Sequence, residues 1–407
     1  MMKDRKYYPW LVVAMLWFVA LLNYLDRQML STMRPAIQLD IKELESATNF
    51  GRLMAVFLWI YGLMSPVSGM IADKISRKGL IVGSLFVWSA VTMLMGYADG
   101  FSQLYWLRAI MGVSEALYIP AALSLIADYH KPATRSLAVG IHMTGLYMGQ
   151  ALGGFGATIA AAYSWQATFH WFGIVGVLYS VVLMFGLKEH RIKEVPETIK
   201  PPFFQGFKGL LLLLPFWIIW LYFSIPSIPG WAIKNWLPTL FAGSLDVPMS
   251  EAGPIATITI AFSSFLGVIT GGLLSDRWVQ RNVKGRVYTS AIGLSLTIPA
   301  LFLLGIGHSA VYLVASAFCF GFGFGMFDAN NMPILCQFVA PRHRATAYGL
   351  MNMGGVFSGA LITDFLGKST DAGNLGRDFA FMSVVILAAV AMLLLFLKPK
   401  VSDYGTK

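Results

Sequence analysis

Apolar runs of about twenty residues or more, separated by short polar loops, follow one another from end to end of the chain. A helix rising about 1.5 Å per residue needs about 20 mostly apolar residues to cross the hydrocarbon of a bilayer. Twelve stretches reach that length, near residues 8–35, 49–72, 79–98, 102–129, 136–162, 166–187, 209–241, 251–275, 287–306, 309–338, 344–366 and 378–397. The pattern predicts an all-α membrane protein with twelve transmembrane helices.

Composition points the same way. Of 407 residues, 57% are hydrophobic and 12% charged, against about 25% charged in a typical soluble domain. Such a chain cannot cover its surface with polar groups. The 40 glycines suit helices that approach closely in lipid. The net charge of +10 reads as topology rather than nucleic-acid binding, because the cations sit in short loops. With the N-terminus in the cytoplasm, 22 of the 30 Lys and Arg fall on that side, and Arg34, Lys42, Arg52, Lys368 and Arg377 fall opposite. The bias predicts an even number of spans and both termini cytoplasmic, in a multi-pass protein of the cell inner membrane. No cleavage motif follows the first apolar run, so no removable secretory signal is expected. Cys319 and Cys336 stand about 25 Å apart if one helix carries both, too far for a disulfide. No cofactor or metal motif appears, and a monomer in contact with membrane lipids is expected.

The chain repeats itself. "GMIADKISRK" (69–78) is echoed by "GLLSDRWVQR" (272–281), which pairs Asp73 with Asp276. At an offset of 209, Pro132 matches Pro341, Arg135 matches Arg344, Ala138 matches Ala347, Gly140 matches Gly349 and Gly145 matches Gly354. The repeat divides the chain into a six-helix bundle at 1–187, a polar cytoplasmic linker at 188–208 and a second six-helix bundle at 209–407. Parallel halves of this kind place a substrate site between them.

Ionisable residues inside the spans are the candidates for chemistry. Span 1 carries Tyr24, Asp26 and Arg27, and span 4 carries Arg108 and Glu115 seven residues apart, so that the last two share a helix face about 10 Å apart along the axis. Span 1 runs outward and span 4 inward, which puts Arg27 and Arg108 in the outer half. Two guanidiniums on a shared cavity make an anion site, each able to fork onto a carboxylate. Asp26 and Glu115 are then the proton carriers, and Tyr24 and Tyr61 supply hydroxyls. The alternative is a fixed Arg108–Glu115 or Asp26–Arg27 ion pair that only orders the bundle. In span 7, Pro226, Pro229 and Gly230 are expected to break the helix ahead of Lys234 and Asn235. Lys234 is either a second anion contact or a residue that snorkels to the interface. Gln150 and His142 in span 5 face the cavity or a neighbouring helix, and Asp328 in span 10 is a third titrating group or an acceptor at a helix break. "GFGFG" (321–325) lies inside an apolar run and is no nucleotide fingerprint. In the loop after span 2, Asp73 can accept hydrogen bonds across the interface between halves.

The 69–78 loop resembles the signature loop of the major facilitator superfamily, with Ser76 where a glycine is usual; the resemblance implies the major facilitator fold and a gating role for Asp73, Arg77 and Asp276. "NYLDR" (23–27) together with "RAIMGVSEALYIPAA" (108–122) resembles the anion:cation symporter family within it. That family includes hexuronate and galactonate permeases, sialic acid transporters and vesicular glutamate transporters. The resemblance implies that Arg27 binds a substrate carboxylate, that Arg108 and Glu115 couple it to protons, and that Tyr24, Tyr61 and Asn352 contact substrate. The chain departs from some relatives in having Met54 where span 2 can carry a His, and no Arg in span 7.

These expectations describe proton-coupled symport of a small organic anion, a sugar acid or related monocarboxylate, by alternating access. Exchange of sugar phosphate for phosphate and spinster-like lysolipid transport are the alternatives, and Na⁺ can replace the proton. No cluster of His, Cys and carboxylates with ligand spacing points to an enzyme.

Overall fold

The structure, a computed structural model, describes residues 4–189, 214–339 and 344–397. Most of the linker at 188–208 lies outside them. The described residues form fifteen α-helices and one short 3-10 turn. In chain order the helices are α1 (Asp4–Ile37), α2 (Ala47–Lys74), α3 (Arg77–Met95), α4 (Phe101–Ala116), α5 (Tyr118–Tyr129), α6 (Pro132–Gly153), α7 (Gly156–Ala162) and α8 (Trp165–Gly186). They continue with α9 (Leu214–Leu245), α10 (Met249–Val279), α11 (Gly285–Ile306), α12 (Ala310–Asp328), α13 (Asn331–Phe338), α14 (Arg344–Asp371) and α15 (Leu375–Phe396).

Local sequence sets the helix starts. Ser46, Ser76 and Ser164 each accept a bond from the backbone three residues on, at 3.4, 3.0 and 2.9 Å, and so satisfy one amide of a first turn. Pro132 opens α6, where its missing N–H costs nothing.

Among the described residues, ten helical stretches are long and apolar enough to cross a membrane, with α4–α5 and α12–α13 each counting as one. The other two expected spans are helical as α6–α7 and α14, but less apolar. Their neighbours explain it: α6 packs on α1 and α10, and α14 on α2 and α9. A helix with protein on several sides can carry Gly, Ser and Asn in place of lipid-facing Leu. Elsewhere the outer surface is apolar, with Phe185 78% and Val311 76% exposed, as suits a molecule whose solvent is hydrocarbon.

The start of α1 lies at one face, called here the near end. Tyr8 bonds Gly186 O at 2.8 Å and stacks edge-on with Tyr129. This gathers the start of α1 with the ends of α5 and α8. At the opposite, far end, α2 begins where α14 finishes: Asp371 bonds Ala47 N at 2.6 Å.

Two departures from expectation concern the helix breaks. Pro226, Pro229 and Pro238 all lie inside the continuous α9. Packing overrides the breakers here: Phe223 stacks on Phe327, and a Cβ on Gly230 would already meet the Phe324 ring at 2.6 Å. The interruptions fall at Leu117 in span 4, at Gly154–Phe155 in span 5 and at Ala329–Asn330 in span 10, the last beside Asp328, where a break was one of the two expectations.

The repeat reaches further than sequence comparison shows. Arg77 Nη1 donates to Ser124 O at 3.4 Å, 47 residues on, and Arg286 Nη1 donates to Pro333 O at 3.4 Å, also 47 residues on. Arg286, after a longer loop, is thus the counterpart of Arg77, which Gln280 and Arg281 in the sequence repeat are not.

Candidate functional site

Residues 23 and 27 of α1 are one turn apart and therefore share a face. That face meets Glu115 of α4. Arg27 Nε donates to Glu115 Oε2 at 2.5 Å, and Asn23 Nδ2 donates to the same oxygen at 2.9 Å. Glu115 is fully buried. A carboxylate out of water is costly unless a cation and hydrogen bonds meet it, and Arg27 with Asn23 supplies both. Glu115 Oε1, Arg27 Nη2 and Asn23 Oδ1 remain buried with no bonding partner among the described residues. The pair therefore keeps one unused acceptor and one unused donor.

Aromatic rings surround the guanidinium. Arg27 Cζ lies 5.0 Å from the Tyr24 ring centroid, 4.8 Å from Phe57 and 4.7 Å from Tyr61. Arg108 Cζ sits 4.6 Å from the same Phe57 ring, so both arginines share one ring of α2. Arg108 Nη1 approaches Met111 Sδ at 3.2 Å, and its Nε has no bonding partner among the described residues. Asp26, one residue from Arg27, points to α3, where it accepts a bond from Thr92 Oγ1 at 3.2 Å.

A cavity opens beside this cluster, lined by Tyr24, Tyr147, Gln150, Lys234, Phe324 and Asp328 among others. Tyr24 belongs to both places: one side of its ring faces Arg27 and the residue also walls the cavity. Lys234 Nζ rests 4.8 Å from the Trp231 ring centroid. Gln28 Nε2 ties α1 to α9 by donating to Lys234 O at 2.9 Å.

The structure thus brings together Tyr24, Arg27, Tyr61, Arg108 and Glu115 as one cluster, and Tyr24, Gln150 and Lys234 as one cavity wall. Neither expected fixed ion pair forms: Glu115 pairs with Arg27 across helices, not with Arg108, and Asp26 does not bond Arg27. Arg27 and Arg108 are not on the cavity wall, because each turns toward the rings. Asn235 and Asn352 face other helices, Asn235 Nδ2 bonding Thr363 Oγ1 at 2.8 Å and Asn352 Nδ2 bonding Ser65 Oγ at 2.7 Å. The expected gate residues pair within their own repeats. Arg77 forms an ion pair with Asp128, and Asp276 lies 3.3 Å from Arg286. The side chain of Asp73 lies outside the described residues. Cys319 and Cys336 form no disulfide. Asn23 and Thr92 were not singled out by sequence reasoning. The one signal for Asn23 was its position a turn before Arg27.

A family model described as Major Facilitator Superfamily matches residues 16–363. The hexuronate transporter of Bacillus subtilis (strain 168) is 25% identical over 292 residues, 69% of this chain and 67% of that protein. The probable L-galactonate transporter of Escherichia coli (strain K12) is 23% identical over 407 aligned positions, 94% of this chain and 88% of that protein. Among solved structures, a bacterial homolog of the human lysosomal transporter Spinster, inward-facing and unoccupied, superposes with a TM-score of 0.81 at 20% identity, covering 95% of this chain and 96% of the other.

Proposed function

Because the chain belongs to the Major Facilitator Superfamily, we propose that it is a secondary transporter that carries a small organic anion, a sugar acid or related monocarboxylate, together with a proton. The observation that carries this reading is the Arg27–Glu115 bond at 2.5 Å, set behind Tyr24 at the edge of the cavity. The similarity to transporters named for hexuronate and L-galactonate supports the substrate class.

The coupling follows from charge. While Glu115 is ionised it occupies the donor that a substrate carboxylate needs. A proton on Glu115 removes the opposing charge, and Arg27, still buried, needs a new anion. Proton and substrate therefore load together. Asn23 keeps Glu115 aimed at Arg27 through the cycle, and Arg108 adds a second positive charge across Phe57. Asp26 is the second proton carrier. Tyr24, Tyr61, Gln150 and Lys234 offer polar contacts, with Asn235 and Asn352 reaching the substrate only once their present bonds open.

The reading includes twelve spans in two six-helix bundles, 1–187 and 209–407, joined by the linker 188–208. The Arg77 and Arg286 bonds, repeated 209 residues apart, support that division. Alternating access is then a rocking of the halves about the substrate, with Asp73, Arg77 and Asp276 at the gate of the near end. Cation bias puts both termini in the cytoplasm, in the cell inner membrane, for a monomer.

Purified protein in proteoliposomes tests this. Under an inward proton gradient, radiolabelled galactonate or glucuronate should accumulate, and a proton ionophore should abolish accumulation. Accumulation of sugar phosphate against internal phosphate, or of a lysolipid, with no movement of sugar acids would replace this reading with one of its alternatives.

A further inference from the structure

The cavity carries a negative charge that anion binding leaves without a task. Asp328 is the last residue of α12, and the chain turns at Ala329–Asn330 before α13 begins. The turn leaves its side chain exposed on the cavity wall, deep between the helices. Asn331 Nδ2 holds one oxygen, Oδ1, at 3.0 Å, and Asp328 forms no salt bridge among the described residues. Lys234, on the same wall, leans on the Trp231 ring rather than on this carboxylate. One cavity therefore displays a separated cation and anion, with Gln150, Tyr24 and Tyr147 also on its wall.

A cavity built only to hold a carboxylate has no use for Asp328, which repels it. A carboxylate is an acceptor with about four lone-pair sites, of which Asn331 uses one. The group it suits is a donor. We infer that Asp328 is a specificity residue that accepts hydrogen bonds from the hydroxyls of a polyhydroxylated carboxylic acid whose carboxylate is held at the cationic side. An acid with a bare alkyl chain leaves Asp328 desolvated and unmatched, and a site with an unmet polar group rejects such analogues strongly. The inference rests on the anion-transport reading and adds what that reading lacks, a physical ground for preferring sugar acids over apolar carboxylates.

The test compares galactonate and hexanoate, both six-carbon monocarboxylates, by calorimetry on purified full-length protein. Wild type should bind galactonate at least about tenfold more tightly than hexanoate. Asp328→Asn should remove most of that ratio by weakening galactonate while leaving hexanoate unchanged or tighter. Asp328→Glu, which keeps the carboxylate, should retain a preference for galactonate and serves as the control for folding. An unchanged ratio in Asp328→Asn, with galactonate still bound, overturns the role of Asp328 and leaves anion transport standing. Failure of wild type to bind either acid removes the transport reading, and this inference with it.

Discussion

Arg27 Nε lies 2.5 Å from Glu115 Oε2 in a bond that crosses from α1 to α4, while Arg108, on the same helix as that carboxylate, turns its guanidinium to the Phe57 ring 4.6 Å away. The first arginine is neutralised by a carboxylate, and the second is cushioned by an aromatic face.

Glu115→Gln separates binding from coupling. Gln retains the shape and can still accept from Asn23, but it has no charge to hold Arg27 and no proton to exchange. Substrate affinity should lose the share of its pH dependence that Glu115 carries, leaving that of Asp26, accumulation driven by a proton gradient should vanish, and counterflow exchange should persist. Calorimetry at several pH values and paired liposome assays read both. Gradient-driven accumulation at the wild-type level would end the coupling role of Glu115.

Arg27→Lys should behave as a loss of function despite keeping the charge. The guanidinium plane is matched to three rings at 4.7 to 5.0 Å and can present a planar fork to a substrate carboxylate, and an ammonium reproduces neither. Anion affinity should fall at least about tenfold, or about 1.4 kcal/mol, in a titration of purified variant. Wild-type affinity would mean that the substrate does not meet this side chain.

How much of this was legible in the sequence follows from what sequence periodicity encodes. The helical stretches, the repeat and the ionisable residues of spans 1 and 4 were legible, because hydrophobic length and buried charge are one-dimensional signals. The partner of Glu115 was not. Spacing along α4 offers Arg108 as its neighbour, but pairing depends on the rotation of α1 against α4, which no single-helix pattern contains. Arg286 was hidden by its longer preceding loop, which moves it out of register with Arg77. The prolines of α9 misled for a different reason: they mark where an isolated helix is weak, and the packing of Phe324 and Phe327 against it decides otherwise. Asn235 and Asn352 show the same limit, since a polar residue in a span bonds a neighbouring helix as readily as a solute.

The contact between the α6–α7 turn and α10 at the far end can be probed by crowding. A Cβ on Gly154 would overlap the Thr257 hydroxyl and meet Gly253 O at 2.9 Å. Gly154→Ala should therefore destabilise the protein by about 1–3 kcal/mol, the usual range for overpacking, seen as a lower melting temperature in detergent. Thr257→Ala clears the space, so the double variant should recover part of the loss, a coupling a double-mutant cycle measures. Strict additivity would show that the two sites are not in contact in the dominant conformation.

Asp371 ties the far end together, and its titration fixes where that tie depends on pH. From the last turn of α14 it accepts bonds from Ser46 Oγ at 2.8 Å, Ala47 N at 2.6 Å, Thr48 N at 2.9 Å and Thr48 Oγ1 at 2.7 Å. It thus caps the N-terminus of α2, where a negative charge also meets the positive end of the helix dipole. Burial opposes the charge, but the bonds from Thr48, Ala47 and Ser46 outweigh it and hold the carboxyl down to about 2, below its ordinary 3.8. A group whose pKa is depressed in the closed arrangement favours that arrangement above its ordinary value, and the contribution fades as pH falls from 3.8 toward about 2. Across neutral pH the tie is therefore constant, and any pH dependence of transport there must come from other groups. Asp371→Ala removes the cap at every pH. A cysteine placed at Thr363, fully buried on α14 about two turns inside this contact, should then be alkylated by a membrane-impermeant reagent about threefold faster or more, a modest gain because the carboxylate is exposed to solvent and screened by salt. Asp371→Asn, which keeps an acceptor but no charge, should fall between. Equal labelling rates in all three backgrounds would show that the cap does not hold the far end shut.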